Sequence, residues 1–252
     1  MAKEALSVVD EIEILKKINN MDEQEIIDFR KKNKEHNERI AKRTIRNAIS
    51  EFIKRTIDIF AGIAGAVLLV PLTILVWVMK KINKEDGSIF YSQLRIGKDG
   101  KIFKIHKFRS MVVGADKMLE NYLKEHPQEA EEYNINRKLK KDPRITKTGD
   151  FLRRTSLDEW PQFIDILLGK MSLVGPRPYL PEEKESMGEY YKYIIKTKPG
   201  LTGPWQIAGR SNLTFEDRLI LDEEYASRCG NKRDIKILLK TFKKVLRKDG
   251  AV

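Results

Sequence analysis

Gly149–Pro178, GDFLRRTSLDEWPQFIDILLGKMSLVGPRP, is the stretch from which the rest of the chain is read. Asp158 and Glu159 stand side by side, with Arg153 and Arg154 just before them and Arg177 after. Trp160, Phe163, Ile164, Leu167 and Leu168 recur at helical spacing and leave one apolar face, and Gly169 is a natural stop. The spacing predicts a helix that opens at the carboxylate pair, where free N–H groups also attract anions. A carboxylate pair among arginines suits an anionic substrate and a divalent metal. The same residues fit a plainer role. Ser156-x-x-Glu159 has the form of a capping box, and Pro161 is tolerated in a first helical turn.

The chain of 252 residues is long enough for a sizeable core, and 41% hydrophobic with 34% charged residues is not the composition of a disordered chain. A net charge of +12 points to anionic partners: nucleic acid, phosphorylated small molecules or an acidic membrane face. The lone Cys229 rules out an internal disulfide and fits a reducing compartment. His36, His106 and His126 lack ligand-like spacing, which argues against zinc.

Residues 1–50 are charged throughout and contain no cleavable apolar segment. Val8, Ile12 and Leu15 make a thin helical stripe, so the expectation is a solvated or partly disordered extension, or a basic arm along an anionic membrane. Residues 51–83 form the second segment. Within it Ile59–Met79 is a run of 21 residues without a charge, long enough to cross a bilayer. Pro71 sits inside that run, and both flanks are basic: Lys54 and Arg55 before, Lys80, Lys81 and Lys84 after. A spanning helix usually biases lysine and arginine to one side. Without that bias, the simplest reading has the segment enter the membrane, bend at Pro71 and return; a kinked span is the alternative.

Residues 84–252 read as a catalytic domain. Ile89–Ile96 and Lys101–Phe108 look like strands joined by a Lys98-Asp99-Gly100 turn, and the second brings Lys107 and Arg109 to a strand end. Ala115–Lys141 reads as helical with a break at Pro127, and Asp142-Pro143-Arg144 as a turn. Gly175-Pro176-Arg177-Pro178 holds Arg177 between prolines, which suits either a fixed phosphate ligand or a plain turn. Lys198–Ser211 is a glycine- and proline-rich loop ending in Arg210; it lacks the Gly-Lys-Ser/Thr ending of a Walker loop. Trp205 within it packs against a base or into the core. Asp234–Lys248 is a basic amphipathic helix, packed on the core or lying in a membrane interface.

Taken together, Lys54-Arg55, the proline-centred apolar run, Lys107–Met111, Asp142–Thr146, Ser156–Glu159, Ser172–Pro178, Lys198–Arg210 and Asp234 resemble the bacterial sugar transferases, the monotopic phosphoglycosyl transferases, over roughly Lys54 to Gly250. The resemblance implies an α+β, mainly helical fold on the cytoplasmic face of the bacterial inner membrane, anchored in one leaflet by a proline-broken re-entrant helix. It implies transfer of a sugar 1-phosphate from a UDP-sugar to undecaprenyl phosphate, with magnesium and release of UMP, at the start of surface-glycan synthesis. It makes Asp158 the nucleophile and Glu159 its metal-associated partner, ties Arg153, Arg177 and Arg210 to phosphate binding, with Lys107 and Arg109 as further substrate contacts, and gives Asp234 a supporting role. Val70 replaces the serine that many relatives carry before the membrane proline. The long Ala115–Lys141 segment leans toward a hexose donor, galactose or glucose, with an N-acetylated sugar as the alternative.

Two other classes compete. A nucleic-acid-binding module would use the positive charge but not the apolar run, and its basic clusters lack interleaved aromatics. A membrane-anchored scaffold would leave the acidic pair and its arginines without a purpose. Residues 1–50 could pair with a second copy to make a homo-oligomer.

Overall fold

The computed structural model describes residues 23–136, 139, 141–209, 213–228 and 230–247. The stripe at Val8, Ile12 and Leu15, and Arg210 and Cys229, lie outside the described residues. The chain divides into two compact units, Met1–Phe52 and Ile53–Val252. The apolar run Ile59–Met79 lies in the second of these.

Helix α1 covers Glu23–Ile82, so the N-terminal extension is helical from Glu23 onward. Helix formation fits a stretch rich in lysine, glutamate, arginine and isoleucine with no glycine before Gly62. Its Ala48–Ile82 part, 35 residues containing an 18-residue window of mean hydropathy 2.6, is long and apolar enough to cross a membrane. The helix runs through Pro71 without the expected interruption. Proline removes the bond that the carbonyl of Val67 would accept, but one missing bond can leave the turns on either side intact. Thr73 Oγ1 donates to the Leu69 carbonyl at 2.7 Å within the same turns.

One stripe of α1 is buried in the larger unit: Asp58, Gly62, Gly65, Val76 and Lys80, with Leu69 and Leu72 half-buried between them. That is a single helical face. Apolar side chains elsewhere on the helix, including Phe60, Val67, Val70, Ile74 and Trp77, are exposed. The polar end of the stripe is fastened by hydrogen bonds. Asp58 Oδ1 accepts from Ser172 Oγ at 3.0 Å and the Leu173 N–H at 2.8 Å. Arg55 donates to the carbonyls of Ile166 and Leu167 at 2.7 and 2.8 Å.

Strands β1 (Phe90–Ile96) and β2 (Ile102–Phe108) form the expected antiparallel hairpin. Asp99 and Gly100 both have positive φ, 58° and 75°, as the Asp-Gly signal demands. Helices α2 (Ala115–Glu125) and α3 (Pro127–Asn136) follow, with the break at the predicted proline. The Asp142-Pro143-Arg144 turn is a clamp. Arg144 donates to both oxygens of Asp142 at 2.8 and 2.6 Å, and the Arg144 carbonyl accepts from the Val112 N–H at 2.9 Å.

The central stretch is not one helix. It breaks into α4 (Lys147–Arg154), a 3₁₀ turn at Leu157–Glu159, and α5 (Gln162–Leu167), which ends at Gly169 with φ 77°. Parallel strands β3 (Ser172–Val174) and β4 (Gly200–Thr202) pair beyond it. Here a Cβ on Gly200 would stand 2.0 Å from the Gly175 nitrogen, so only glycine allows the approach. Helices α6 (Tyr191–Ile194), α7 (Pro204–Ala208), α8 (Phe215–Ser227) and α9 (Asn231–Arg247) complete the unit. The core consists of several apolar clusters. One of them, Val76 with Phe108 and Leu152 and the half-buried Trp160, joins α1, β2, α4 and the residue after the acidic pair.

Candidate active site

Asp158 and Glu159 lie in the 3₁₀ turn between α4 and α5, not in the first turn of a long helix. The capping box does not form. Ser156 has φ 57° and its side chain caps nothing. This left-handed backbone in a non-glycine residue is strain of about 1 kcal/mol, tolerated where the surroundings enforce it. The Glu159 carboxylate is free of the cap and instead accepts a 2.7 Å hydrogen bond from Lys107 Nζ. The turn is held from behind by Trp160, whose indole N–H donates to the Gly65 carbonyl on α1 at 2.9 Å.

The pair's ionisation is split by its surroundings. Burial and then the neighbouring Glu159 charge push the Asp158 carboxyl up to about 6, against the pull of Lys107 and Arg153. For Glu159, burial also opposes ionisation. Lys107, by charge and hydrogen bond, together with Arg177 and Arg95, outweighs it and holds Glu159 below the usual carboxylate range. At neutral pH both carboxyls are mainly ionised, facing a cationic rim. Arg153 belongs to that rim; its Nε donates to Ser110 Oγ at 3.1 Å.

Among the described residues no cluster of three or more His, Cys, Asp or Glu side chains stands ready to hold a metal. Two carboxylates are enough for magnesium, which commonly takes one or two and fills its remaining positions with water and substrate phosphates. The repulsion between Asp158 and Glu159 is what a cation would relieve, so the donor set fits.

The structure thus gathers Asp158, Glu159, Lys107, Arg153 and Arg177 in one electrostatic neighbourhood. It does not bring in Arg109, whose Nε and Nη2 donate to the carbonyl and hydroxyl of Ser88, at 3.0 Å each, beside the Tyr91 ring. Asp234 is also engaged elsewhere. Its carboxylate pairs with Lys54 on α1 and accepts from Tyr225 OH at 2.6 Å, while Lys54 Nζ also donates to the Val174 carbonyl at 2.8 Å. Asp234 therefore ties α9 to α1 behind the site.

Asp222, Tyr179, Arg95 and Arg218, which the sequence does not single out, complete the arrangement. Arg177 is oriented through its backbone N–H, which donates to Asp222 Oδ2 at 2.8 Å; Tyr179 OH donates to the same oxygen at 2.9 Å. Arg95 is 8% exposed although it lies in a strand where Leu94 is 48% exposed. Trp205 is half-buried, between the Arg177 and Arg218 guanidiniums. The only sequence signal for Arg95 is its place in a strand just before Gly97, which is not specific.

Asp222 makes a pH prediction. It is fully buried, its Oδ1 has no partner among the described residues, and burial lifts its carboxyl to about 7 despite the Arg177 N–H and the Tyr179 hydroxyl. Between about pH 4 and 7 the unfolded chain has lost this proton and the folded chain keeps it, so stability falls as pH rises through that window. Three pH units correspond to about 4 kcal/mol at most. In thermal melts, wild type should lose stability from pH 5 to pH 7 relative to Asp222→Asn, whose curve lacks this slope.

Comparison with known proteins finds the family that the sequence motifs resemble. The family described as Bacterial sugar transferase matches residues 49–248. The chain is 43% identical over 202 residues to the undecaprenyl-phosphate galactose phosphotransferase of Salmonella typhimurium, covering 80% of this chain and 42% of that one. It is 36% identical over 203 residues to the UDP-glucose:undecaprenyl-phosphate glucose-1-phosphate transferase of Escherichia coli, covering 77% and 40%. With the exopolysaccharide production protein ExoY of Sinorhizobium fredii it shares 40% identity over 189 residues, covering 75% of this chain and 83% of the relative. This chain belongs to the bacterial sugar transferase family. It spans under half the length of the first two relatives and most of the third.

Proposed function

We propose that this chain transfers a hexose 1-phosphate from UDP-galactose or UDP-glucose to undecaprenyl phosphate. The observation that carries the reading is the Asp158–Glu159 turn with Lys107, Arg153 and Arg177 converging on it, in a chain of this family. A carboxylate oxygen of Asp158 attacks the sugar-bearing phosphorus; the bond to the bridging oxygen breaks and UMP departs with that oxygen. The acyl phosphate so formed is attacked at the same phosphorus by an oxygen of undecaprenyl phosphate, which restores the Asp158 carboxylate. Splitting the transfer lets a water-soluble donor and a lipid acceptor use one site in turn. Lys107 keeps Glu159 ionised, and Arg153 and Arg177 offset charge on the phosphoryl groups. Magnesium, held by Glu159 with Asp158, would supply charge neutralisation at the phosphates.

The acceptor requires a membrane, and the chain enters it in one leaflet from the cytoplasmic face. The support is physical. The buried stripe of α1 packs on the same unit from Asp58 to Lys80. A straight crossing would carry that unit, with Asp158, Arg153 and their neighbours, into the hydrocarbon layer. A helix lying half in lipid keeps the unit at the interface, and the exposed Ile235, Leu239 and Phe242 of α9 fit the same surface.

The test is UMP release by the full chain in lipid nanodiscs. Release should require magnesium, undecaprenyl phosphate and one of the two UDP-hexoses together. No release with any UDP-sugar would overturn the reading.

A further inference from the structure

Two guanidiniums stand at the Trp205 ring, and a third, that of Arg95, is fastened to the Pro178 carbonyl beside Arg177. The guanidinium carbons of Arg177 and Arg218 lie 5.7 and 5.5 Å from the indole centre. Arg95 belongs to the same cluster electrostatically. Burial, and after it the charge of Arg177, lower the pKa of Arg95 to about 10, and the same two causes lower Arg218. Arg95 and Arg218 are each only 8% exposed.

Carboxylates act on the cluster by charge, Asp222 on Arg177 and Arg218 and Glu183 on Arg95 and Arg218, but among the described residues none accepts a hydrogen bond from its guanidiniums. Arg95 donates to the Pro178 carbonyl at 3.0 Å and to Gln93 Oε1 at 2.6 Å, both neutral. Arg218 donates to the Leu213 carbonyl at 2.8 Å. Arg177 faces Glu183 at 3.8 Å, beyond a hydrogen bond. Glu183 itself accepts from the Leu180 N–H through its other oxygen at 2.7 Å. Among the described residues the Nε atoms of Arg95, Arg177 and Arg218 and the indole nitrogen of Trp205 are all buried without a hydrogen-bond partner.

Buried donors are almost always paired, and buried cations are costly without an anion. Unspent N–H groups on planar guanidiniums match the oxygens of a phosphate, which arginine binds in a fork that lysine cannot reproduce. The cluster adjoins the catalytic turn: the charge of Glu159 acts on Arg95, and that of Arg177 on Glu159. Lys107 and Arg153 instead act directly on Asp158.

We infer that Arg95, Arg177 and Arg218 form one phosphate subsite beside Trp205, which takes the phosphate of the nucleoside monophosphate, while Lys107 and Arg153 serve the phosphorus attacked by Asp158. The identity of the nucleotide rests on the transfer reading above; the anion subsite does not. Arg95 and Arg218 are thus binding residues for the leaving group.

The experiment is calorimetric titration of the full chain in nanodiscs with UMP, in EDTA, repeated in the presence of inorganic phosphate. UMP should bind, phosphate should compete with it, and Arg95→Lys and Arg218→Lys should each weaken UMP by about tenfold or more. UMP affinity within twofold of wild type in both variants, or no competition by phosphate, would overturn the inference. If a variant melts too low to titrate, hydrogen exchange of the wild type decides. Slower exchange around residues 95 and 218 on adding UMP supports the subsite, and unchanged exchange there refutes it. Turnover of a UDP-sugar with UMP affinity indifferent to Arg95 and Arg218 removes this inference alone. Loss of UMP affinity in those variants, with no turnover of any UDP-sugar by wild type, removes the transfer reading alone.

Discussion

Asp158→Asn lowers UMP release by about a thousandfold or more, the scale seen when a covalent nucleophile is removed. Its melting temperature stays at or slightly above that of wild type. Both halves follow from the site. Asparagine keeps the shape but has no carboxylate oxygen to attack phosphorus. Asp158 is also held under repulsion from Glu159, so removing its charge relieves a cost of folding rather than adding one. A structural role would give the opposite pattern, a lower melting temperature with residual activity in the folded fraction. Kinetics and a thermal melt on the same preparation separate the two.

Gly149→Ala damages the fold far more than a methyl group added at an open position. A Cβ on Gly149 would stand 1.9 Å from the Ser110 carbonyl oxygen and 2.6 Å from its carbon, both backbone atoms that cannot rotate away. The same contact region holds the Thr146 N–H to Ser110 carbonyl bond at 3.1 Å and the Gly149 N–H to Thr146 Oγ1 cap at 3.0 Å. Ser110 is also the partner of Arg153, so a shifted backbone moves a cation of the catalytic rim. The expected loss is about 3 kcal/mol, the upper range for overpacking, read as a lower midpoint in chemical or thermal unfolding. The folded fraction should show reduced turnover as well. By contrast, alanine at Gly114 meets nothing within 4 Å, so that variant, whose only burden is φ 77°, is the control for a left-handed position without a clash.

Local chemistry makes much of this molecule readable from its sequence. The Asp99-Gly100 turn between two apolar runs specifies the hairpin, Pro127 specifies the gap between α2 and α3, and Gly169 stops α5, each through one backbone rule. The acidic pair and Arg153, Arg177 and Lys107 are legible because charged residues are concentrated among apolar ones. The capping box fails to form because Ser156 adopts a left-handed backbone, and Lys107, distant in sequence, takes Glu159. Local pattern cannot register a competitor that arrives through tertiary contact. Arg109 and Asp234 show the same limit: each carries the charge a site would use, but Ser88 in one case and Lys54 with Tyr225 in the other engage them. Arg95 and Arg218 are hidden for a further reason. A cation buried on a strand or helix looks like an exposed one until the burial is known, and in β1 it is Leu94 that faces outward.

The apolar helix is legible in a different way. Its length and basic flanks predict membrane contact, but not which face touches protein. That face is set by Asp58, Gly62 and Gly65, where small residues let α5 approach: a Cβ on Gly65 would lie 2.2 Å from Phe163. Trp160, next to the acidic pair, reaches the same helix. The apolar helix and the Asp158–Glu159 turn are therefore built against each other.

The most direct measurement is the intact mass of the protein after incubation with magnesium and UDP-galactose or UDP-glucose, without undecaprenyl phosphate. Covalent transfer through Asp158 predicts a gain equal to one hexose phosphate, absent in Asp158→Asn and discharged when undecaprenyl phosphate is added. UMP release and lipid-linked product formed at full rate by Asp158→Asn, with no adduct on either protein, would contradict it.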